Sequence, residues 1–209
     1  MESLSSGIQY RHWPVDDAKA CVLLAHGLAE HTGRYEHVAA RLNERGVAVV
    51  GPDHIGHGAS PGVRVYLKAF SEYLGPMQVL RAHIYDWYPG RPVFLMGHSM
   101  GGLISAHLLL ISQASFQGAM LSGPAFRAVD PAPPPLMLIG RLLRYVLPKL
   151  GMVSLDANRV SRDPAVVADY ITDPLVYNGK ITMGLGIEML DAMEVAIARA
   201  DEITLPIYI

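Results

Sequence analysis

Hydrophobic residues in this chain form short continuous runs, and the segments between them mix apolar and polar positions at helical spacing. The runs at residues 20–25, 47–51 and 92–96 are apolar throughout, as expected of strands buried on both faces of a sheet. A shorter strand is predicted ahead of them at residues 9–13, and another after them at residues 118–121. These runs define the strands of a predicted sheet.

Helices are predicted between the strands. Residues 35–44 place Val38, Ala39 and Leu42 on one face, and Gly46 follows them as a helix-ending glycine. The residues of further helices are 69–87, 100–112 and 183–199, and a last strand begins within 205–209. This alternation predicts an α/β protein with a doubly wound, mostly parallel sheet, whose ligands bind at the carboxyl ends of the strands.

Two proline-containing sites change this outline. Gly75 and Pro76 lie inside the second helix, where we predict a kink or a restart before residue 79. After residue 124 the composition shifts to a proline cluster, an apolar segment at 136–147 and a polar stretch at 156–180. The proline cluster consists of Pro131, Pro133, Pro134 and Pro135. We therefore predict one incomplete α/β domain over residues 1–209, with a helical cap insertion at about residues 125–180.

Composition excludes several classes of function. The chain has 209 residues and a formal net charge of -2, and it has no basic run, which argues against nucleic-acid binding. Its nine histidines lack metal-ligand spacing, so we expect no metal or other cofactor. A single cysteine, Cys21, excludes an intrachain disulfide and favours a reducing cytoplasm. No stretch approaches the length and apolarity of a membrane-spanning helix.

The sequence Gly-His-Ser-Met-Gly at residues 97–101 carries the main chemical signal. It follows a predicted buried strand and precedes a helix, as in the nucleophile elbow that presents a serine hydroxyl at a sharp turn. The flanking glycines allow the strand and the helix to approach closely, and N–H groups at the helix start can face an oxyanion. Ser99 as an ordinary turn residue does not explain both glycines and Gly102.

Four motifs in order extend this signal. They are His-Gly-Leu-Ala-Glu-His-Thr-Gly-Arg-Tyr at 26–35, Asp-His-Ile-Gly-His-Gly-Ala-Ser at 53–60, Gly-His-Ser-Met-Gly-Gly at 97–102, and a cap pattern of Ser-Arg-Asp-Pro at 161–164 with Tyr-Ile-Thr-Asp-Pro-Leu at 170–175. Together they resemble the lysophospholipase-like monoacylglycerol lipase family of serine α/β-hydrolases. The resemblance implies an α/β-hydrolase fold and hydrolysis of monoacylglycerols or related lipid esters through an acyl-enzyme on Ser99.

The resemblance also assigns site residues. The backbone N–H groups of Leu28 and Met100 would form the oxyanion hole. Glu30, Arg34 and Tyr170 would bind the glycerol headgroup. A loop-bracing ion pair explains the two charged residues equally well, and a cap-anchoring role explains the tyrosine at least as well. His31, His54 and His57 are interpreted as structural, and His98 as a brace beside the nucleophile.

The triad acid and histidine are absent from the predicted site. In this fold they follow the serine in the chain, but His107 is the only later histidine, and it lies on the helix that begins beside Ser99. We therefore expect a fragment truncated at its C-terminus, without the last strands and helices, and inactive or nearly so. The alternatives are a non-catalytic pseudo-hydrolase that binds a lipid or a partner, and a hydrolase of another bond.

Two surface expectations complete this interpretation. An incomplete sheet exposes an edge, through which we expect self-association. The apolar cap segment at 136–147, which carries Arg141 and Arg144, suits either an acyl channel with transient contact to a membrane surface or plain packing over the site. The sequence leaves that choice open, and it predicts a cytoplasmic protein, peripheral to membranes if the first option holds.

Overall fold

The computed structural model describes residues 1–128 and 133–209; Pro131 of the predicted proline cluster lies outside them. In chain order the strands are β1 Glu2–Ser3, β2 Gln9–Trp13, β3 Ala20–Ala25, β4 Val47–Pro52, β5 Val93–His98, β6 Gly118–Ser122, β7 Gly151–Ser154, β8 Lys180–Thr182 and β9 Ile207–Tyr208. The α-helices are α1 Glu36–Asn43, α2 Leu74–Trp87, α3 Met100–Ser112, α4 Pro134–Leu143, α5 Pro164–Thr172 and α6 Met183–Ala198. The elements alternate as the hydrophobic pattern predicts.

The main sheet has seven strands in the order β1-β2-β4-β3-β5-β6-β9. Strands β4, β3, β5, β6 and β9 are mutually parallel, whereas at one edge β2 pairs antiparallel with β4 and β1 pairs antiparallel with β2. The chain goes from β3 outward to β4 and then returns to β5 on the other side of β3. The strand order therefore reverses between β3 and β5, which is where doubly wound sheets bind their ligands.

Side chains alternate between the two faces of the sheet. Leu23 and Leu95 lie in the larger core, which packs under α2, α3 and α6. Val22 and Leu24 belong to the smaller core, which α1 covers through Ala39. Since neighbouring residues of one strand enter different cores, both faces of the central strands are buried, and this explains why these strands are apolar at every position. The α/β-hydrolase architecture predicted from the sequence is confirmed.

The expected break at Gly75 and Pro76 is wrong. Helix α2 runs without interruption from Leu74 to Trp87, and Pro76 lies in its first turn. The first-turn N–H groups of a helix have no partner within the helix, so the missing N–H of proline costs nothing at that position. A 3₁₀ helix, Phe70–Tyr73, fills the preceding residues.

Between β6 and α6 the chain leaves the main sheet. We call residues 133–180 the cap segment; it contains α4, α5 and the strand β7, which pairs antiparallel with β8 in a separate two-stranded sheet. Asp163 caps α5 by accepting a hydrogen bond from the N–H of Ala165, as the Asp-Pro pair in the sequence suggests. None of the helices described in residues 1–128 and 133–209 is long and apolar enough to cross a membrane.

Candidate active site

Ser99 occupies the turn between β5 and α3 in a strained conformation. Its φ is 51° and its ψ is -116°, a combination that non-glycine residues rarely adopt. Its N–H donates to the carbonyl of Ser122 (3.0 Å), and its own carbonyl accepts from Gly102 (3.0 Å) and Ala125 (3.0 Å). Because these bonds hold the backbone from both sides, the turn keeps its strain, as expected for a serine held out for reaction.

The glycines around Ser99 are required by close backbone contacts. A Cβ on Gly97 would lie 2.4 Å from the carbonyl oxygen of Gly101, and a Cβ on Gly101 would lie 2.0 Å from that of Ala25. A Cβ on Gly102 would lie 2.7 Å from the Cβ of Pro124. No side chain fits at these distances, so the sequence Gly-x-Ser-x-Gly-Gly is a packing requirement of this turn.

Two backbone N–H groups lie close to Ser99 in the fold. Met100 is the first residue of α3, where the N–H has no partner within the helix. Leu28 follows β3, whose last residue, Ala25, pairs with Gly97 of β5. Within the described part of the chain the N–H of Leu28 makes no hydrogen bond to other backbone groups. Both donors thus emerge at the switch point of the sheet beside Ser99.

A polar cluster braces the loop that carries Leu28. Glu30 Oε1 accepts hydrogen bonds from the N–H of Gly27 and from the hydroxyl of Tyr35, both at 2.6 Å. The Arg34 Nε lies 3.7 Å from Glu30 Oε2, and the Arg34 guanidinium lies 4.8 Å above the centre of the Tyr170 ring. The cap segment therefore contacts the loop of the site through an arginine and an aromatic ring.

A second contact joins the cap segment to this loop. His31 Nε2 lies 2.8 Å from Asp173 Oδ2, and Arg34 lies 3.7 Å from the same oxygen. Burial alone would raise the pKa of Asp173, but the hydrogen bonds from His31 and from the N–H of Leu175 hold it below its usual value. Asp173 is therefore ionised at neutral pH, and it anchors the predicted structural histidine His31.

These residues enclose a pocket of about 330 Å³ in front of Ser99. It brings together four residues assigned from the sequence besides Ser99, while Met100 lies beneath it with a fully buried side chain. The residues that line the pocket are Gly27, Leu28, Glu30, Arg34, His98, Ser99, Leu155, Arg159, Val160, Val166 and Tyr170. Arg159 and the apolar cap residues were not predicted, because nothing in a single sequence shows which cap positions face the site.

Tyr170 is buried but lines the pocket. Its pKa is raised by burial and by the nearby carboxylate of Glu30, so its hydroxyl stays protonated. Only 6% of the residue is exposed, yet it lines the pocket with Arg34. Tyr170 and Arg34 therefore line the same space in front of Ser99.

The histidines in the loop motifs lie inside the protein. His26, His54 and His57 are almost fully buried, and the ring centres of His26 and His54 are 4.3 Å apart. Burial lowers the pKa of His26 to about 3 and that of His57 to about 4, and it lowers the pKa of His54 well below 6.5. All three are neutral at pH 7, as suits structural histidines.

His98 and His107 have other partners. His98 Nδ1 lies 3.0 Å from the carbonyl oxygen of Ser122, which fits a brace. His107 Nε2 lies 2.9 Å from the carbonyl oxygen of Ala192 on α6, so its ring is directed toward that helix. Among the described residues, the hydroxyl of Ser99 has no hydrogen-bond partner.

Comparison with known proteins agrees with this geometry. Residues 16–209 match the family described as "Serine aminopeptidase, S33". A monoacylglycerol lipase of Mycolicibacterium smegmatis is 38% identical over 97% of this chain and 72% of its own length, and the monoglyceride lipase of Rattus norvegicus is 33% identical over 94% and 65%. The chain thus spans about two thirds to three quarters of these relatives.

A solved structure gives the same result for the fold. The monoacylglycerol lipase of Paleococcus ferrophilus superposes with a TM-score of 0.81 at 31% identity, over 96% of this chain and 75% of the other. The elbow at Ser99, the switch point between β3 and β5, and these relatives lead to one assignment. The chain belongs to the monoacylglycerol lipase family of serine α/β-hydrolases.

Proposed function

We propose that Ser99 is the nucleophile of an ester hydrolase that acts on monoacylglycerols or related lipid esters. The observation that carries this proposal is the strained Ser99 backbone, with a φ of 51°, at a turn that only glycine neighbours can form. Strain of this kind persists where the surrounding structure holds a reactive group in place. The names of the relatives supply the substrate class.

The proposed reaction has two steps. The Ser99 hydroxyl attacks the ester carbonyl, and the negative charge that develops on the carbonyl oxygen is stabilised by the N–H groups of Leu28 and Met100. The carbon–oxygen bond to glycerol then breaks, and glycerol leaves with the proton taken from the serine. Water next attacks the acyl-enzyme in the same way, which releases the fatty acid and restores Ser99.

Arg34 and Tyr170 are proposed to bind the hydroxyl groups of the glycerol. Both line the pocket in front of Ser99, and each can donate a hydrogen bond. Glu30, the third residue assigned to the headgroup, already accepts from Gly27 and Tyr35. We therefore infer that Glu30 contributes to binding mainly by holding the loop, with its second carboxylate oxygen directed toward Arg34.

Among the residues that the structure describes, no proton acceptor is bonded to the Ser99 hydroxyl. His107 is the only histidine after Ser99 in the sequence, and its ring bonds to α6. We infer that the 209-residue chain by itself hydrolyses esters slowly or not at all, because attack by a serine depends on a base that removes its proton. The triad acid and histidine are not assigned to any residue of this chain.

Reaction with a fluorophosphonate tests this proposal. Intact-mass measurement over hours, followed by peptide mapping, should find one adduct, on Ser99, that forms far more slowly than in a complete serine hydrolase. Ser99→Ala should abolish it, and Ser112→Ala, at the far end of α3, should not. An adduct on another residue, or none, would overturn the assignment of Ser99. An ordinary serine-hydrolase rate would overturn the inference about the base.

A second function is binding without turnover. The pocket favours it, because Arg34 and Tyr170 lie in front of a serine whose hydroxyl has no hydrogen-bond partner among the described residues. A non-hydrolysable monoalkyl glycerol ether should then raise the melting temperature of the chain, and Arg34→Met and Tyr170→Phe should reduce that increase. An unchanged melting temperature in saturating ether would rule this function out.

The surface proposals concern the cap segment and the β9 edge. We propose that the cap segment is an insertion within one α/β domain and that its exposed apolar residues, including Leu138, Leu142 and Val146, contact a lipid surface. Co-sedimentation with phosphatidylcholine vesicles should be lost in Leu142→Glu.

We also propose self-association through β9, where Ile207 and Tyr208 are exposed. A purely monomeric profile on a sizing column would contradict it.

A further inference from the structure

We propose that His26 is a positioning residue that fixes the direction of the Leu28 N–H by binding the other end of the same peptide group. This inference rests on the proposed function, in which that N–H stabilises the oxyanion. His26 Nδ1 lies 2.7 Å from the carbonyl oxygen of Gly27, and this carbonyl forms one peptide group with the N–H of Leu28. The histidine therefore holds the peptide group that carries the catalytic donor.

The hydrogen bonds of the ring allow one tautomer only. The backbone N–H of His54 donates to Nε2 of His26 at 2.9 Å, so Nε2 carries no proton. The proton of the neutral ring is therefore on Nδ1, where it can be donated to the carbonyl of Gly27. Because burial lowers the pKa of His26 to about 3, the ring keeps this neutral form at every pH at which the enzyme would work.

The planar peptide group transmits this contact to the pocket. In a trans peptide the C=O and the N–H point in opposite directions, and the chain has no cis peptide bonds among its described residues. His26 is completely buried, whereas Gly27, Leu28 and Ser99 line the pocket. A bond that draws the Gly27 carbonyl toward the interior therefore directs the Leu28 N–H outward, toward the nucleophile.

The neighbouring peptide groups have separate restraints. The N–H of Gly27 donates to Glu30 at 2.6 Å, and the carbonyl of Ala29, whose φ is 66°, accepts from the N–H of Tyr177 at 2.8 Å. Among the described residues, the peptide group between Gly27 and Leu28 is held by His26 alone. Losing the imidazole would free that one group to rotate while the loop remains attached on both sides.

Two substitutions separate this role from general bracing of the loop. His26→Asn places an amide N–H where Nδ1 is, so it keeps the bond to Gly27 and loses the acceptor for His54. His26→Gln places an amide oxygen where Nε2 is, so it keeps the bond from His54 and loses the donor to Gly27. Each variant removes one buried hydrogen bond. Thermal melts followed by circular dichroism can therefore show whether the two variants are equally stable.

The rate of fluorophosphonate labelling at Ser99 is the first measurement. We expect His26→Gln to lower it about tenfold or more, as loss of an aligned oxyanion donor does, and His26→Asn to stay within about threefold of the natural chain. Equal losses in two folded variants, or a larger loss in the asparagine variant, would overturn the proposal.

Nuclear magnetic resonance gives a readout that does not depend on catalysis. We expect a slowly exchanging proton on Nδ1 of His26, with a hydrogen-bond coupling to the Gly27 carbonyl carbon, and a shifted Leu28 amide resonance in His26→Gln but not in His26→Asn. A proton on Nε2, or an unshifted Leu28 amide in the glutamine variant, would overturn the proposal. If the natural chain takes no label at all, the proposed function fails, and these resonances alone decide the role of His26.

Discussion

The loops around Ser99 and the cap segment are held by different kinds of interaction. Around Ser99, backbone groups are fixed by buried hydrogen bonds and by contacts too close for a side chain at Gly97 and Gly101. In the cap segment, α4 is held to α6 by ion pairs that are partly exposed, such as Arg144 with Glu188 at 2.8 Å. The loops around Ser99 are therefore held rigidly, whereas α4 can separate from α6 at a modest cost in free energy.

This difference fits the separate tasks proposed for the two regions. The chemistry at Ser99 requires donors aligned to a fraction of an ångström, which only a packed backbone supplies. Entry of a lipid requires a surface that can rearrange, and the space between α4 and α6 is an open, largely apolar pocket of about 470 Å³. Changes in packing or protonation should therefore destabilise the region around Ser99, and changes in charge pairing should destabilise the cap segment.

The largest expected effect concerns acid. His26, His54 and His57 have lower pKa values in the folded chain than the 6.5 expected when unfolded, so the folded state binds fewer protons. Stability is therefore complete above pH 6.5 and is lost as pH falls toward about 4 for His57 and about 3 for His26. His26 and His57 should each contribute about 2 kcal/mol of this loss between pH 7 and pH 5.

Urea unfolding at pH 7, 6 and 5 measures this acid dependence. His57→Asn, which keeps a donor for the Ile55 carbonyl, removes one titrating group and should make the dependence of stability on pH shallower. The cap segment contains no histidine, so no cap histidine contributes to this slope. A stability independent of pH between 7 and 5 would show that these histidines are not buried in neutral form.

The next effect concerns packing at the elbow. Gly101→Ala puts a methyl group 2.0 Å from the carbonyl oxygen of Ala25, and we expect it to cost about 3 kcal/mol or to prevent folding. The control is Gly186→Ala in α6, where nothing lies within 4 Å, and which should stabilise the chain by about 0.5–1 kcal/mol. If thermal melts find equal effects for the two variants, the close approach at the elbow is not a constraint.

The smallest effect concerns the ion pairs of the cap. Arg144→Met removes hydrogen bonds to Glu188 (2.8 Å) and Asp191 (3.1 Å) from a half-buried position, and we expect a loss of about 1 kcal/mol. Hydrogen exchange in α4 should accelerate while the loops around Ser99 stay protected. Arg141→Met, at a more exposed position, should have a smaller effect. A faster exchange at the elbow than in α4 would contradict the separation of the two regions.

The same contrast explains what the sequence could predict. The strands around the site were predictable because a strand buried on both faces must be apolar throughout, and Ser99 because the elbow requires glycine at fixed positions. Gly75 and Pro76 misled the prediction because residue type does not reveal that Pro76 lies in the first turn of α2. That error concerned only where α2 begins, and it did not affect the prediction of the site.

The cap segment was predicted less completely. Its pairing of β7 with β8 involves short, partly polar strands, and a pattern of alternation needs more residues to be detected. The contact of Asp173 with His31 joins residues 142 positions apart, which no local spacing indicates. The placement of Arg34 over Tyr170 is equally non-local, so the arrangement of the residues proposed to bind the headgroup became visible only in the structure.

The most direct test of the central claim adds a free base to the chain. Ser99, in its strained turn with two proposed backbone donors, should react with a fluorophosphonate slowly in plain buffer, and roughly tenfold faster or more when imidazole is added as a proton acceptor. Ser99→Ala should show no labelling under either condition. A full rate without imidazole would mean that this chain already contains its base, and no labelling of Ser99 at any imidazole concentration would mean that it is not a nucleophile.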